Sequence, residues 1–93
     1  MMVRQLRIRG LVQGVGYRAG FNARAHALRL SGWVRNRSDG SVEAMVAGGD
    51  AVLAQIIDWA WHGPSGARVH EVTVDEVADP VAMDEQFRIL PTL

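Results

Sequence analysis

A glycine-rich segment runs directly into an arginine near the start of the chain, in residues 10–18 (GLVQGVGYR). Glycine adopts backbone conformations that let successive N–H groups turn toward one point. Such a loop before a helix leaves several N–H groups unpaired at the positive end of the helix dipole. Arg18 falls in the first helical turn, where a cation is unfavourable unless an anion lies beside it. The segment therefore predicts a cradle of backbone amides that Arg18 closes around a phosphate or carboxylate.

The same residues have a purely structural interpretation. Gly14 and Gly16 could simply permit a tight turn from a strand into a helix, with Arg18 in solvent. The positive charge at the helix start favours the anion site. Residues 14–19 also fit G-x-G-x-x-A, but the dinucleotide fingerprint needs a parallel βαβ unit, and Asp39 lies in a predicted hairpin turn rather than after a strand. A P-loop is excluded because no Gly-Lys-Ser/Thr follows.

The spacing of apolar residues predicts the elements that position this loop. Period-two alternation and short apolar runs indicate strands; the predicted strands cover residues 3–12, 32–37, 42–47, 68–77 and 87–89. Spacing of three and four predicts a helix over residues 17–30, ended by a left-handed Gly32. A second helix opens at residues 48–50 with Asp50 as its cap and ends at residues 63–64.

The predicted order is β-α-β-β-α-β with a short extra C-terminal strand. Two helices on one face of an antiparallel sheet would bury both apolar stripes, which is the ferredoxin-like sandwich of the α+β class. The 93 residues are expected to form a single domain, 1–93. The Asp-Gly turn within residues 38–41 is typical of a β-hairpin, and the acidic stretch 75–85 is expected to be a solvated loop.

Composition excludes several classes of chemistry. The chain has no cysteine, which excludes disulfides, thiolate ligands and a cysteine nucleophile, and its three histidines lack metal-ligand spacing. No apolar run approaches the ~20 residues of a membrane helix. The first residues alternate basic and apolar side chains, unlike a signal peptide. We therefore expect a cytoplasmic protein with no membrane partner.

Charge is unevenly distributed although the formal net charge is zero. Residues 1–37 hold eight arginines and no acid, whereas the remainder holds two arginines and all ten acids. The first part could concentrate positive field around an anion. Alternatively the two parts intermix in the fold and the charges pair across strands, which we expect for most of these arginines.

Two long motifs resemble those of the acylphosphatase family. Residues 10–18 match its signature G-x-V-Q-G-V-x-F/Y-R at every fixed position. The second signature is G-[FYW]-[AVC]-[KRQAM]-N-x3-G-x-V, closed by a glycine six residues after that valine. It is matched throughout by Gly32, Trp33, Val34, Arg35, Asn36, Gly40, Val42 and Gly48. The resemblance spans essentially the whole chain, and it implies the ferredoxin-like fold and a small free-standing enzyme.

The resemblance also implies an activity, namely hydrolysis of the carboxyl–phosphate bond of an acyl phosphate to a carboxylate and inorganic phosphate. By the family pattern, Arg18 binds the phosphate and Asn36 orients the attacking water; the phosphate is cradled by the amides of Gln13, Gly14, Val15, Gly16, Tyr17 and Arg18. An asparagine cannot act as a general base at neutral pH, so its role is to position water. No metal or organic cofactor is expected. Without the motif, Asn36 would be interpreted as a residue that shapes the hairpin.

The resemblance implies a small acyl phosphate and phosphate as ligands, no nucleic acid, and a monomer. One alternative is a non-enzymatic RNA- or ligand-binding module, but Trp33 stands without the aromatic pattern that RNA-binding sheets use. Another is a domain of a larger hydrogenase-maturation protein, which the position of the chain's end disfavours. Ala19 and Gly20 stand where some relatives carry aromatic residues, and we expect the first helix to pack less well there.

Overall fold

The computed structural model describes residues 2–78 and 86–93. In chain order, its elements are β1 (Met2–Leu11), α1 (Tyr17–Ala27), β2 (Ser31–Asn36), β3 (Val42–Gly48), α2 (Asp50–His62), β4 (Arg68–Glu76) and β5 (Arg88–Ile89). The strands form one sheet in the order β4-β1-β3-β2-β5. The predicted ferredoxin-like β-α-β-β-α-β order with an extra C-terminal strand is confirmed.

The sheet is mixed rather than wholly antiparallel. β1 pairs antiparallel with β3 and β4, and β3 pairs antiparallel with β2. β5 lies at the edge opposite β4 and runs parallel to β2, where Trp33 aligns with Arg88. The chain then continues along β2, since the Leu90 N–H donates to the Val34 carbonyl at 2.9 Å. The C-terminal strand therefore extends the sheet beside the strand that carries Asn36.

Both helices cover the same face of the sheet, as predicted. α1 lies against β2 and β5, and α2 lies against β1, β3 and β4. Alternate strand residues and the inner helix faces form the core; its members include Leu6, Ile8, Val34, Val42, Ala44, Val46, Phe21, Ala25, Leu53, Ile56 and Ala60. The alternation of β1 and β3 therefore holds in the structure.

The end of α1 differs from the sequence-based expectation. The helix stops at Ala27, and Arg29, with φ 56°, takes the left-handed conformation that ends it, whereas Gly32, with φ 131°, already lies in β2. The Arg29 N–H donates to the His26 carbonyl at 3.0 Å, and the Leu30 N–H donates to the Ala25 carbonyl at 2.9 Å. This is a Schellman motif, in which Leu30 turns back into the core and packs near Ala25. Burial of Leu30 therefore ends the helix before a glycine is reached.

The start of α2 also corrects a prediction. Gly49 is the N-cap residue, and no side chain forms a capping hydrogen bond, so Asp50 does not cap the helix. Asp50 is instead the first helical residue, where its carboxylate lies favourably at the positive end of the helix dipole. The helix ends before Gly63, which has φ 65°. No helix within residues 2–78 and 86–93 is long and apolar enough to cross a membrane.

The face of the sheet away from the helices carries a charge cluster centred on Glu43. This carboxylate is only 4% exposed and accepts hydrogen bonds from Arg35 at 2.9 Å and from Gln5 at 2.7 Å. Arg7 and Arg37 lie at 3.3 Å from its two oxygens. Burial alone would raise the pKa of Glu43, but these donors and positive charges outweigh burial and lower it. The expected pairing of N-terminal arginines across strands is thus confirmed for this cluster.

Candidate active site

The loop between β1 and α1 has the backbone conformation that the glycines predict. Gly14 and Gly16 both have positive φ, 75° and 80°, on either side of Val15. A Cβ atom built on either glycine would meet no neighbouring atom within 4 Å. The glycines are therefore required by the backbone angle and not by crowding, and alternation of this kind turns successive amides toward one side.

The backbone amides of this loop form no hydrogen bond with the residues that the structure describes. Gly16 is the N-cap residue of α1, and neither a capping side chain nor an acidic residue stands in the first turn. Among the described residues, no acceptor receives a hydrogen bond from the backbone N–H groups of residues 13–18. The helix dipole thus ends in free donors, which is the condition for anion binding at a helix N-terminus.

A cavity of about 360 Å³ lies over this loop. It brings together most of the predicted site residues, and its lining comprises Val12, Gln13, Gly14, Gly16, Arg18, Ala19, Asn36 and Ile89. Arg18 is half-buried in the first turn of α1, and its guanidinium makes no hydrogen bond or ion pair with another described residue. A cation beside free amides, in a cavity of this size, suits a small anionic ligand.

Two of the predicted site residues turn their side chains away from the cavity. Val15 is half-buried and packs against the core, which fixes the loop from below. Tyr17 is fully buried, and its phenol donates a hydrogen bond to the Ala60 carbonyl. Burial raises the pKa of Tyr17 well above its ordinary value, so the phenol stays protonated at neutral pH. These two residues can therefore contribute only backbone amides to a ligand.

Asn36 reaches the cavity from the last position of β2. The residue is 9% exposed, and its Oδ1 is buried without a hydrogen-bond partner among the described residues. Buried polar atoms are rarely unpaired, and an exception calls for a specific cause such as a functional role. With Oδ1 buried, the Nδ2 end of the amide remains to bind a water or ligand in the cavity. The geometry therefore brings an uncharged donor close to the predicted anion cradle.

The side chain of Gln13 has a role that the sequence did not reveal. Its Nε2 donates to the Arg37 carbonyl at 2.8 Å and to the Ser41 carbonyl at 2.9 Å. These carbonyls belong to the hairpin between β2 and β3, directly after Asn36. The expectation concerned only the backbone amide of Gln13, because no spacing rule links residues this far apart in sequence.

The apolar part of the cavity lining was also missed. Val12 is buried one residue after the end of β1, Ala19 is exposed on α1, and Ile89 is 41% exposed on β5. Ala19 follows Arg18 directly, so its position was inferable. Ile89 reaches the site only because β5 lies beside β2, and no local pattern announces that pairing.

A search of the described part of the chain for three or more clustered metal-ligating side chains finds none. Arg18 is the charged side chain in the cavity lining. Fold and cavity together define an α+β domain whose cavity holds a cation beside free backbone amides.

Comparison with known proteins identifies the family to which this domain is similar. The family model described as Acylphosphatase matches residues 4–89. The chain is 50% identical over 95 residues to a protein named acylphosphatase from Rhodopseudomonas palustris strain BisB5, with 98% of this chain and 96% of that protein covered. The crystal structure of acylphosphatase from Bacillus subtilis superposes with a TM-score of 0.91 at 30% identity, covering 97% of this chain and 99% of that one.

A larger protein contains a similar domain. The crystal structure of full-length HypF matches with a TM-score of 0.87 at 30% identity, covering 98% of this chain but 12% of that chain. The extent of these matches, together with the loop and the cavity, leads to one conclusion. This chain belongs to the acylphosphatase family.

Proposed function

We propose that this protein hydrolyses acyl phosphates without a metal ion, giving a carboxylate and inorganic phosphate. The observation that carries the proposal is the convergence of three features on one cavity: the unpaired amides of residues 13–18, the Arg18 guanidinium and the Asn36 amide. Family membership supports the same reaction. The acyl phosphate itself supplies the activated bond and a good leaving group.

The phosphate oxygens bind in the loop. Amides fixed by Gly14 and Gly16 donate to them, and Arg18 donates two further hydrogen bonds from the first turn of α1. In phosphoryl transfer, catalysis consists mainly of positioning and of stabilising charge on the equatorial oxygens. Donors that are already oriented do this without reorganisation when the bond breaks.

The attacking water is held by Asn36. Its Nδ2 donates to the water oxygen and leaves a lone pair of that oxygen free to attack phosphorus. Asparagine takes no proton, so the proton of the water passes to a phosphate oxygen of the substrate. The oxygen–phosphorus bond to the carboxylate then breaks, and the carboxylate leaves with the bonding electrons.

The acyl group lies on the apolar side of the cavity. Val12, Ala19 and Ile89 present only carbon atoms from their side chains. With the phosphate in the loop, these side chains form the remaining wall. A small aliphatic or aromatic acyl group fits this surface better than a charged one, because a charge would lose its hydration there without a partner.

We propose in addition that the protein acts as a cytoplasmic monomer, without nucleic acid or membrane. The zero net charge supports the absence of a nucleic-acid partner. Sedimentation equilibrium of the purified protein checks the monomer, and a titration with single-stranded RNA checks the nucleic-acid part. A mass near 10.2 kDa and no salt-sensitive binding are expected.

The deciding experiment is phosphate release from benzoyl phosphate by the purified protein. We expect saturable hydrolysis that is competitively inhibited by inorganic phosphate. Hydrolysis no faster than the uncatalysed rate would refute the proposed function. A phosphate monoester such as p-nitrophenyl phosphate serves as the control substrate, and little turnover is expected because its leaving group is poorer.

A further inference from the structure

Gln13 physically joins the two parts of the site. One primary amide spans from the phosphate loop to the hairpin, donating both of its hydrogens, to the carbonyls of Arg37 and Ser41. The residue is half-buried, and its sequence separation from these partners is 24 and 28 residues. In the described part of the chain, no other side-chain hydrogen bond links residues 12–16 with residues 36–41.

The two carbonyls are already part of the hairpin's own hydrogen bonding. The Arg37 N–H donates to the Ser41 carbonyl at 2.8 Å, and the Gly40 N–H donates to the Arg37 carbonyl at 3.1 Å. The Gln13 amide supplies a second donor to each of them, which a carbonyl with two lone pairs accepts. It is therefore fixed to the hairpin at two points, immediately after Asn36.

We infer that Gln13 is a positioning residue that sets the distance between the phosphate loop and Asn36, and so between the bound phosphorus and the attacking water. This inference rests on the proposed function. An arrangement in which two groups must meet the same substrate loses much of its rate when one is displaced by about 1 Å. Val15 also holds the loop, but through apolar packing against the core, which has no directional preference.

A glutamine that only stabilised the fold would not affect turnover and phosphate binding differently. Phosphate binding needs the loop amides and Arg18, whereas turnover also needs Asn36 at the correct distance. Loss of the Gln13 side-chain amide should therefore lower kcat and leave the inhibition constant of inorganic phosphate nearly unchanged.

The test compares Gln13→Met with wild type and with Gln5→Met. Methionine keeps the length and volume of glutamine and removes both donors. Gln5 is a matched control, since it also lies in the first fifteen residues, is half-buried, and donates through Nε2 to Glu43 at 2.7 Å on the far face of the sheet. Benzoyl phosphate hydrolysis, phosphate inhibition and Tm are measured for all three proteins.

We expect Gln13→Met to lose kcat by about 10- to 100-fold with a phosphate inhibition constant within about threefold of wild type, while Gln5→Met keeps both. Wild-type kcat in Gln13→Met would overturn the inference, as would a parallel loss of kcat and phosphate affinity. An equal kcat loss in Gln5→Met would also overturn it. If Gln13→Met does not fold, Gln13→Asn, which is too short to span both carbonyls, is held to the same criteria. An inactive wild type refutes the proposed function instead.

Discussion

The phenol of Tyr17 joins the start of α1 to the end of α2. Its hydroxyl donates to the Ala60 carbonyl at 2.7 Å inside the core. Within the helix, that carbonyl would pair with the N–H four residues later, but this residue is Pro64, which has none. A buried acceptor at the helix end is thus satisfied by a residue whose own amide borders the phosphate loop.

Tyr17→Phe should lower the free energy of unfolding by about 1–2 kcal/mol, because it leaves the Ala60 carbonyl unpaired in the core. Urea denaturation monitored by tryptophan fluorescence measures the change. Activity at a temperature well below Tm should stay near the wild-type value, since the side chain does not reach the cavity. A large loss of kcat in a fully folded variant would contradict this assignment. Trp61→Phe, at an exposed position on α2, is the control for an aromatic substitution without a buried partner.

Arg18→Ala should lower kcat/KM for benzoyl phosphate by about 10³-fold or more, because the variant loses the cation that binds and stabilises the phosphoryl group. Arg18→Lys should restore little, since an ammonium cannot reproduce the two parallel hydrogen bonds. Tm should change little in both, because Arg18 makes no hydrogen bond or ion pair among the described residues. Arg24→Ala, at an exposed site on the same helix, should keep full activity. Substantial turnover by Arg18→Ala would remove this residue from the mechanism.

Asn36→Ala should lower kcat by about 10²-fold or more while inorganic phosphate still inhibits with nearly the wild-type constant. The variant loses the group that orients water and keeps the phosphate cradle. Asn22 also has a buried Oδ1 without a described partner, but it lies outside the cavity lining, so Asn22→Ala is a matched control expected to retain kcat. If phosphate inhibition and kcat fell together in Asn36→Ala, Asn36 would belong to binding.

Glu43 should make stability depend on pH in the acid range. Its folded-state pKa is lowered below the unfolded value of about 4.3, so its stabilising contribution is complete above that value and is lost as pH falls through the folded pKa. Glu43→Gln should therefore be less stable at pH 7, by about 2 kcal/mol, and its stability should fall less steeply than that of the wild type as pH drops below the unfolded pKa of the carboxyl group. Urea denaturation at several pH values measures both. Glu71→Gln, an exposed pair with Arg9, should follow the wild-type curve; an identical curve for Glu43→Gln would count against the cluster.

Chelation should leave hydrolysis unchanged. In the proposed mechanism, Arg18 and the loop amides supply the positive field, and the described residues offer no group of three metal-ligating side chains. Benzoyl phosphate hydrolysis is measured after dialysis against EDTA and again after addition of Mg²⁺, with a magnesium-dependent phosphatase as the positive control for chelation. Activity that disappears with EDTA and returns with the metal would contradict the proposed mechanism.

The local spacing of apolar residues predicted most of the fold. Alternation in the strands and three-four spacing in the helices gave element boundaries that mostly lie within one or two residues of the structure. The largest error was at the end of α1. Gly32 was predicted to end the helix because glycine favours the left-handed conformation. Burial of Leu30 places the left-handed residue at Arg29 instead. The identity of Arg29 does not predict this, because the angle follows from the packing of its neighbour.

Packing between elements explains what was missed. Gly20 was expected to leave α1 poorly packed, yet a Cβ there would lie 2.9 Å from Cζ2 of Trp59. The glycine makes room for an indole on α2, and only the relative placement of the two helices reveals it. Ile89 at the cavity and the Gln13 side chain have the same explanation, since each depends on a contact between segments distant in sequence.

Glu43 also affects where a negatively charged metabolite would bind on the surface of this protein. Arg7, Arg35 and Arg37 already share the Glu43 carboxylate, so a dianion would have to compete with this carboxylate for the three guanidinium groups. At the N-terminus of α1, no carboxylate of the described residues takes a comparable position. Glu43 lowers the positive charge of this arginine-rich face and occupies donors of its guanidinium groups, so we expect a small anion to prefer the cavity at the start of α1.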